Sequence, residues 1–381
     1  MAARKKTVLV VTGSRAEYGL LRPIMREIQK SKKLALKVLV TGAHTLASHG
    51  KTQSQVEAEF TVDCVVPIRE AGAMTEALGE EIRGIGEYCA QHCPDLILVN
   101  GDRDESFAGA IVGGHLGIPV AHIHGGDKTG WVVDEYIRHA TTKFSHLHFA
   151  ATKKSAQRIK WLGEESWRVV VSGGPGLDEI RTLAPISKEE IGKKYGLDAS
   201  VPWTIVLHHP TSLDTVSYKE QIAPLLKEIA KLPGEKIIGY PNSDTGSREF
   251  ITEIDQYRGS PHTHIFKSIP REDYLVLFKN ASLLVGNSSM GIIDSSYLKV
   301  PTVNVGNRQS GREKGVNVVD AQYDATSIAK AIKRAQSSAF RARVKKSTSP
   351  YGNGHAASRI VQTIERHIDR SDLFHKKLTY V

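Results

Sequence analysis

A chain of 381 residues is long for a single domain, so two α/β domains are the first expectation. With 40% hydrophobic and 24% charged residues it reads as globular, and no apolar run approaches the ~20 residues that span a bilayer. The net charge of +10 is scattered and accompanied by no nucleic-acid module, which favours an anionic small molecule over nucleic acid as ligand.

The first apolar stretch is a short strand running into a glycine turn, not a signal peptide. Cys64, Cys89 and Cys93 lack metal-ligand spacing and leave one thiol over in any disulfide scheme, which suits a reducing cytoplasm. Residues 7–12 (TVLVVT) read as a buried parallel strand because the apolar run is continuous. GSRAEYG follows, with Arg15 at the strand mouth where a ligand phosphate or base would meet it. The Gly13 to Gly19 spacing lacks the middle glycine of a dinucleotide fingerprint. A helical pattern covers 20–29 and a second strand 36–41. The GKT of GAHTLASHGKT fails as a phosphate loop because Thr45 stands where glycine is needed, so that stretch reads as a mobile loop. A strand over 62–68 and a helix over 75–92 come next. Residues 95–100 (DLILVN) form a fourth strand that ends in GDRDE. Asp104 and Glu105 suit the first turn of the next helix. Asp102, on the loop between a glycine and an arginine, is the better chemical candidate. A carboxylate at the mouth of a buried strand is costly unless paired, hydrated or used.

The strand over 118–123 ends in HIHGGD. Alternation predicts His122 and His124 on one face, with Asp127 beyond a glycine turn. VVDEYIRHATTKF looks helical, with Asp134–Arg138 and Glu135–His139 as i,i+4 neighbours. Acids at two strand ends plus Asp134 exceed what helix salt bridging alone predicts. His146 and His148, with no acid beside them, read as packing or surface histidines. A helix over 153–161 and a strand over 168–171 complete a first domain, 1–172, and SGGPGLDE (172–179) reads as a hinge.

The second domain is expected over 187–355, starting at a Ser187/Glu190 capping-box spacing. Strand 203–207 ends in HHP, which places His208 and His209 at a strand mouth. The loop PNSDTGS sets Asn242 and Asp244 at another. The main ligand signal is GNSSMGIIDSSYLKVPTVNVGNRQSGR (286–312), which follows the apolar run 281–285. Ser288, Ser289 and Gly291 between that strand and a short helix over 292–298 suit an anion site, where backbone N–H groups and the helix dipole point at the ligand. Asp294, one turn into the helix, suits two ribose hydroxyls. Arg308 and Arg312, beyond the strand 301–305, suit phosphate.

Eight segments, in order, resemble the UDP-N-acetylglucosamine 2-epimerase family over about residues 7–368. They are GSRAEYGLL (13–21), GDRDE (101–105), HIHGGD (122–127), DEYIRHATTKFSHLHF (134–149), HHP (208–210), GNSSMGIID (286–294), VNVGNRQSGR (303–312) and SPYGNGHAASRI (349–360). The hydrolysing, sialic-acid-type branch is the closer match. The resemblance implies a GT-B-like architecture: two Rossmann-like doubly wound domains facing a central cleft, with segment 356–381 crossing back onto the first. It implies a UDP-N-acetylglucosamine-type substrate, or a 2,4-diacetamido-2,4,6-trideoxy relative of legionaminic acid pathways. No metal or other cofactor is implied, and a homodimer or homotetramer is expected. The implied reaction eliminates UDP to a glycal and adds water, inverting C2 and opening the anomeric bond.

By this similarity Asp102 and Asp134 match the family's acids, and His209 and Arg15 its diphosphate contacts. Ser289, Gly291 and Asp294 match its nucleotide loop, with Asp294 on the ribose. His124 and Asp127 each stand where some members carry glutamate, so the third acid–base group is one of the two. Asp134 is assigned to elimination, and Asp102 with His124 to hydration. One rival reading is a non-hydrolysing epimerase, against which GSRAEYG and HHP argue. A second is a GT-B glycosyltransferase, which needs an acceptor. A metallohydrolase built on His122, His124 and Asp127 is a third. The last is an idle sugar-nucleotide sensor, against which the acids argue.

Overall fold

The computed structural model describes residues 4–70, 73–128, 133–211, 214–241 and 245–379. The chain divides into two units, Met1–Glu179 with Gly352–Val381, and Ile180–Tyr351. The first is built on strands β1 (Lys6–Thr12), β2 (Leu34–Val40), β3 (Cys64–Val65), β4 (Leu96–Asn100), β5 (Val120–Ile123), β6 (Leu147–Ala150) and β7 (Val169–Val171). They form one parallel sheet in the order β3-β2-β1-β4-β5-β6-β7. The second unit carries β8 (Trp203–Leu207), β9 (Glu235–Gly239), β10 (Thr263–Phe266), β11 (Leu283–Gly286), β12 (Thr302–Val305) and β13 (Val318–Ala321). Their order is β10-β9-β8-β11-β12-β13, again all parallel. Each order reverses direction once, between β1 and β4 and between β8 and β11. In a doubly wound sheet that point opens a crevice at the strand C-termini.

The continuous apolar runs follow from burial on both faces. In β1, Val8 and Val10 pack with Leu21, Ile24, Met25 and Ile28 of helix Arg15–Lys30, while Leu9 and Val11 pack on the other face with Ile85 and Val112. The last helix, Ala356–His367, adds Ala357, Ile360, Val361 and Ile364 to the first of these clusters, so the chain end belongs to the first unit.

Four local expectations change. The third strand shrinks to two residues, Cys64–Val65. GAHTLASHG folds as two 3₁₀ turns, Gly42–Thr45 and Ala47–His49. They are pinned by buried His44, whose ring nitrogens lie 3.2 Å from Thr12 Oγ1 and 2.7 Å from Thr52 Oγ1. The hinge stretch runs into a helix, Gly176–Arg181. His148 does have an acid beside it: Glu164 Oε2 lies 3.2 Å from its Nε2. Glu164 also receives Lys143 and Lys376, while Arg168 donates to the carbonyls of Asp372, Leu373 and His375, fastening the chain end to the sheet. Among the described residues no helix is long and apolar enough to cross a membrane.

Candidate active site

At the mouth of β4, Asp102 accepts a charge-assisted hydrogen bond from Arg138 Nη2. Arg138, almost fully buried, also donates to Glu135 Oε2 (2.7 Å) and to the Asp127 carbonyl (3.0 Å). The i,i+4 pair predicted between Asp134 and Arg138 is thus replaced by Arg138 with Glu135 and Asp102. The reason is geometric: Arg138 points into the strand ends, where a fork of N–H donors meets two carboxylates and a carbonyl. The Glu135–His139 pair is formed, at 3.1 Å. Asp134 is half-buried in the first turn of helix Val133–Phe144. Burial first, and then the charge of Asp102, raise its carboxyl above the ordinary range, with Arg103 and Arg138 opposing. A raised carboxyl is a stronger base than an ordinary one.

At the mouth of β5 the two histidines part company. His122 ends inside the strand: its Nε2 donates to the Gly101 carbonyl (2.7 Å) and its Nδ1 lies 3.2 Å from Thr142 Oγ1. Burial pushes its ring down to about 3. His124 lies past the strand with φ +62°, so the strand alternation that set the two rings on one face does not apply. His124 Nδ1 instead meets Asp127 Oδ2 at 3.0 Å, while Ser155 Oγ donates to Asp127 Oδ1 at 2.7 Å. Both predicted alternatives for the third acid–base group therefore belong to one hydrogen-bonded couple. Gly126, at φ +72°, is pressed on the Ser155 carbonyl, where any Cβ would collide. Its own carbonyl takes Arg158 Nη1 at 2.8 Å.

In the second unit the predicted residues gather around one side chain that the sequence reading passed over, Asn287. Its Oδ1 accepts the His209 N–H (2.7 Å) and its Nδ2 donates to the His209 carbonyl (2.8 Å), joining the ends of β8 and β11. Its own carbonyl receives Arg308 Nη1 (3.2 Å) and Gln309 Nε2 (2.8 Å), bringing in the loop after β12. The small residue before it permits this: Gly286 has φ +149° and lies against the Leu207 carbonyl, leaving no room for a Cβ. Burial, then the charge of Arg308, push the His209 ring down to about 3, so it is a neutral donor and acceptor at neutral pH.

Ser288 and Ser289 open a 3₁₀ turn, Ser289–Gly291, and the helix proper is Asp294–Leu298. Asp294 is therefore the first residue of that helix rather than one turn inside it. The N–H groups of Gly291, Ile292 and Ile293 are spent within the turn. The Ser295 hydroxyl, bonded to the Gly291 carbonyl at 2.5 Å, holds turn and helix together.

Arg15 is the exposed first residue of its helix at the end of β1, beside the first sheet's point of reversal. Arg312 is partly exposed on the loop after β12. The predicted contacts Asn242 and Asp244 lie outside the described residues. Asn287 and Ser155, which tie these residues together, had no part in the sequence reading, and Glu135 entered it only as the partner of His139. For Asn287 the available signal was an amide side chain wedged between a strand-end glycine and two serines.

The profile of the UDP-N-acetylglucosamine 2-epimerase family matches residues 26–365. The chain is 34% identical over 365 residues to the UDP-N,N'-diacetylbacillosamine 2-epimerase (hydrolyzing) of Legionella pneumophila, covering 94% of this chain and 96% of that one. It is equally 34% identical over 367 residues to polysialic acid biosynthesis protein P7 of Escherichia coli, covering 94% of each chain. The fold matches the crystal structure of UDP-GlcNAc 2-epimerase from Neisseria meningitidis bound to UDP-GlcNAc, with a TM-score of 0.81 at 20% identity over 95% of this chain and all of that one.

Proposed function

The chain belongs to the UDP-N-acetylglucosamine 2-epimerase family, and we propose that it is a hydrolysing member acting in nonulosonic acid biosynthesis. Its substrate on this reading is UDP-N-acetylglucosamine or the 2,4-diacetamido-6-deoxy analogue. The products are UDP and N-acetylmannosamine or the corresponding diacetamido sugar. The observation that carries the reading is the proton-transfer set of the first unit. Asp134 has a raised carboxyl, Asp102 is fixed by Arg138, and His124 is fixed by Asp127.

In the elimination, Asp134 takes the C2 proton as the C1–O bond breaks with its electron pair going to UDP. Arg15, His209, Arg308 and Arg312 are assigned to the diphosphate, where donors and positive charge stabilise the leaving group. Ser288, Ser289 and Gly291 are assigned to the nucleotide loop, Asp294 to the ribose hydroxyls, and Asn242 and Asp244 to further substrate contacts. In the hydration, Asp102 and His124 serve the water: its oxygen bonds to C1 and, through this pair, a proton reaches C2. We place the reaction in the cytoplasm, in a homodimer or homotetramer.

The test is proton NMR with UDP-N-acetylglucosamine in D₂O. Free UDP together with N-acetylmannosamine deuterated at C2 is the expected result. Intact UDP-sugars equilibrated at C2 would replace the hydrolysing reading by the non-hydrolysing one. Absence of turnover with this substrate and with the UDP- and GDP-linked diacetamido sugars would sink the assignment.

A further inference from the structure

A histidine serves as a base only through a ring nitrogen that carries no proton, and the partner of the other nitrogen decides which one that is. In the turn after β5 a short chain of hydrogen bonds runs from Thr152 through Ser155 and Asp127 to His124. Thr152 caps helix Lys153–Trp161 by accepting the Ser155 N–H (3.1 Å), and its hydroxyl lies 3.0 Å from Ser155 Oγ. Ser155 gives its own hydrogen to Asp127 Oδ1, since a carboxylate can only accept. The second carboxylate oxygen, Oδ2, then takes the hydrogen of His124 Nδ1. His124 Nε2 is left a bare acceptor, and it is buried with no hydrogen-bond partner among the described residues. A buried acceptor without a partner is costly and calls for an explanation. His124 is also held off the strand in the left-handed region, where a residue other than glycine is strained. Both His124 and Asp127 keep only 13% of their side chains exposed.

We propose that Ser155 is a positioning residue which, through Asp127, locks His124 in its Nδ1–H tautomer and so presents Nε2 as the base for the water that adds to the glycal. Asp127 is then also a positioning residue, and His124 is the third acid–base group. The chemistry rests on the hydrolysing reading; the tautomer does not.

The test is histidine ¹⁵N NMR of the full chain at neutral pH, with His124→Gln identifying the His124 signals. The wild type shows the His124 proton on Nδ1 and none on Nε2. In Asp127→Asn, Ser155 still donates to the amide oxygen, so the amide NH₂ faces Nδ1 and forces the proton onto Nε2. In Asp127→Asn with Ser155→Ala the amide is free to turn over, and Nδ1–H returns in part. A side chain that only fills space would not produce this switch and its reversal. With substrate, Asp127→Asn lowers sugar formation by roughly 100-fold or more, the effect of a wrong tautomer, and spares first-turnover UDP release by comparison. Ser155→Ala alone lowers sugar formation by about tenfold, the weight of one charge-assisted hydrogen bond. A proton on Nε2 in the wild type, or an unchanged tautomer in Asp127→Asn, overturns the relay. If the wild type releases no UDP from any sugar nucleotide, the functional reading falls while the spectra still decide the relay.

Discussion

Asp134 and Asp102 lie on the same rim and answer substitution differently, because only one of them neutralises a buried cation. Asp102 is 28% exposed but pairs with Arg138, which is 1% exposed and also pairs with Glu135. Asp102→Asn removes one carboxylate from that guanidinium and leaves Glu135 in place, which should cost about 1–3 kcal/mol, short of the loss when a buried pair is broken outright. Among the described residues Asp134 forms no such pair. Asp134→Asn should melt near the wild type yet lose at least about 100-fold in turnover, the range for a general base. Thermal melts, steady-state kinetics and UDP titration check this together. A large loss of UDP affinity in Asp134→Asn would move the residue from proton transfer to binding. The acids themselves were legible as carboxylates crowding a strand mouth. Their partners were not: spacing arguments reach three or four residues, and Arg138 meets Asp102 from 36 residues away. Nothing in HIHGGD announced the positive φ that turns His124 toward Asp127.

The last helix shows the same limit one level up. Ala356–His367 has a strong apolar stripe that packs in the first unit. Its N-cap residue, His355, makes no side-chain cap. The cap comes from Asp178, whose two carboxylate oxygens accept the N–H groups of Ala356 (2.9 Å) and Ala357 (3.0 Å). The glycine-rich stretch read as a hinge thus supplies the anion at a helix N-terminus, where the dipole favours it. Ser31 Oγ adds a bond to Glu365 at 2.6 Å on the same helix. Asp178→Ala should cost about 1–2 kcal/mol in the urea transition of the first unit, and Asp178→Asn clearly less, since the amide oxygen still accepts. Equal losses in the two variants would mean that Asp178 acts through packing or its charge rather than as a cap.

Across the whole chain, the alternation of buried strands and helices made the fold class readable from apolar runs alone, as did the strand-end location of the candidate residues. What those runs hide is the titratable load buried beneath the strand ends. Burial holds the rings of His122, His146, His208 and His209 down to about 3. A depressed histidine contributes stability that is fully present above its unfolded value of 6.5 and is lost as pH falls towards 3. Glu81 works the other way. Burial first, and then the charge of Glu105, raise it from 4.5 to about 8. Its contribution is complete below 4.5 and is lost as pH rises through 8, at no more than about 1.4 kcal/mol per pH unit. Glu17 and Glu105, also raised by burial, lean the same way. Stability should therefore peak near neutrality on its acidic side, with the histidines setting the acid limb and the buried glutamates the basic one. Glu81→Gln keeps an oxygen to accept the Thr41 hydroxyl (3.4 Å in the wild type) and removes the charge that must form. It should leave stability below pH 4.5 unchanged, steepen the rise between 4.5 and 6.5, and flatten the fall in melting temperature between pH 6.5 and 8. If the variant and the wild type lose stability in parallel over that range, Glu81 is already ionised in the fold and the basic limb has another source.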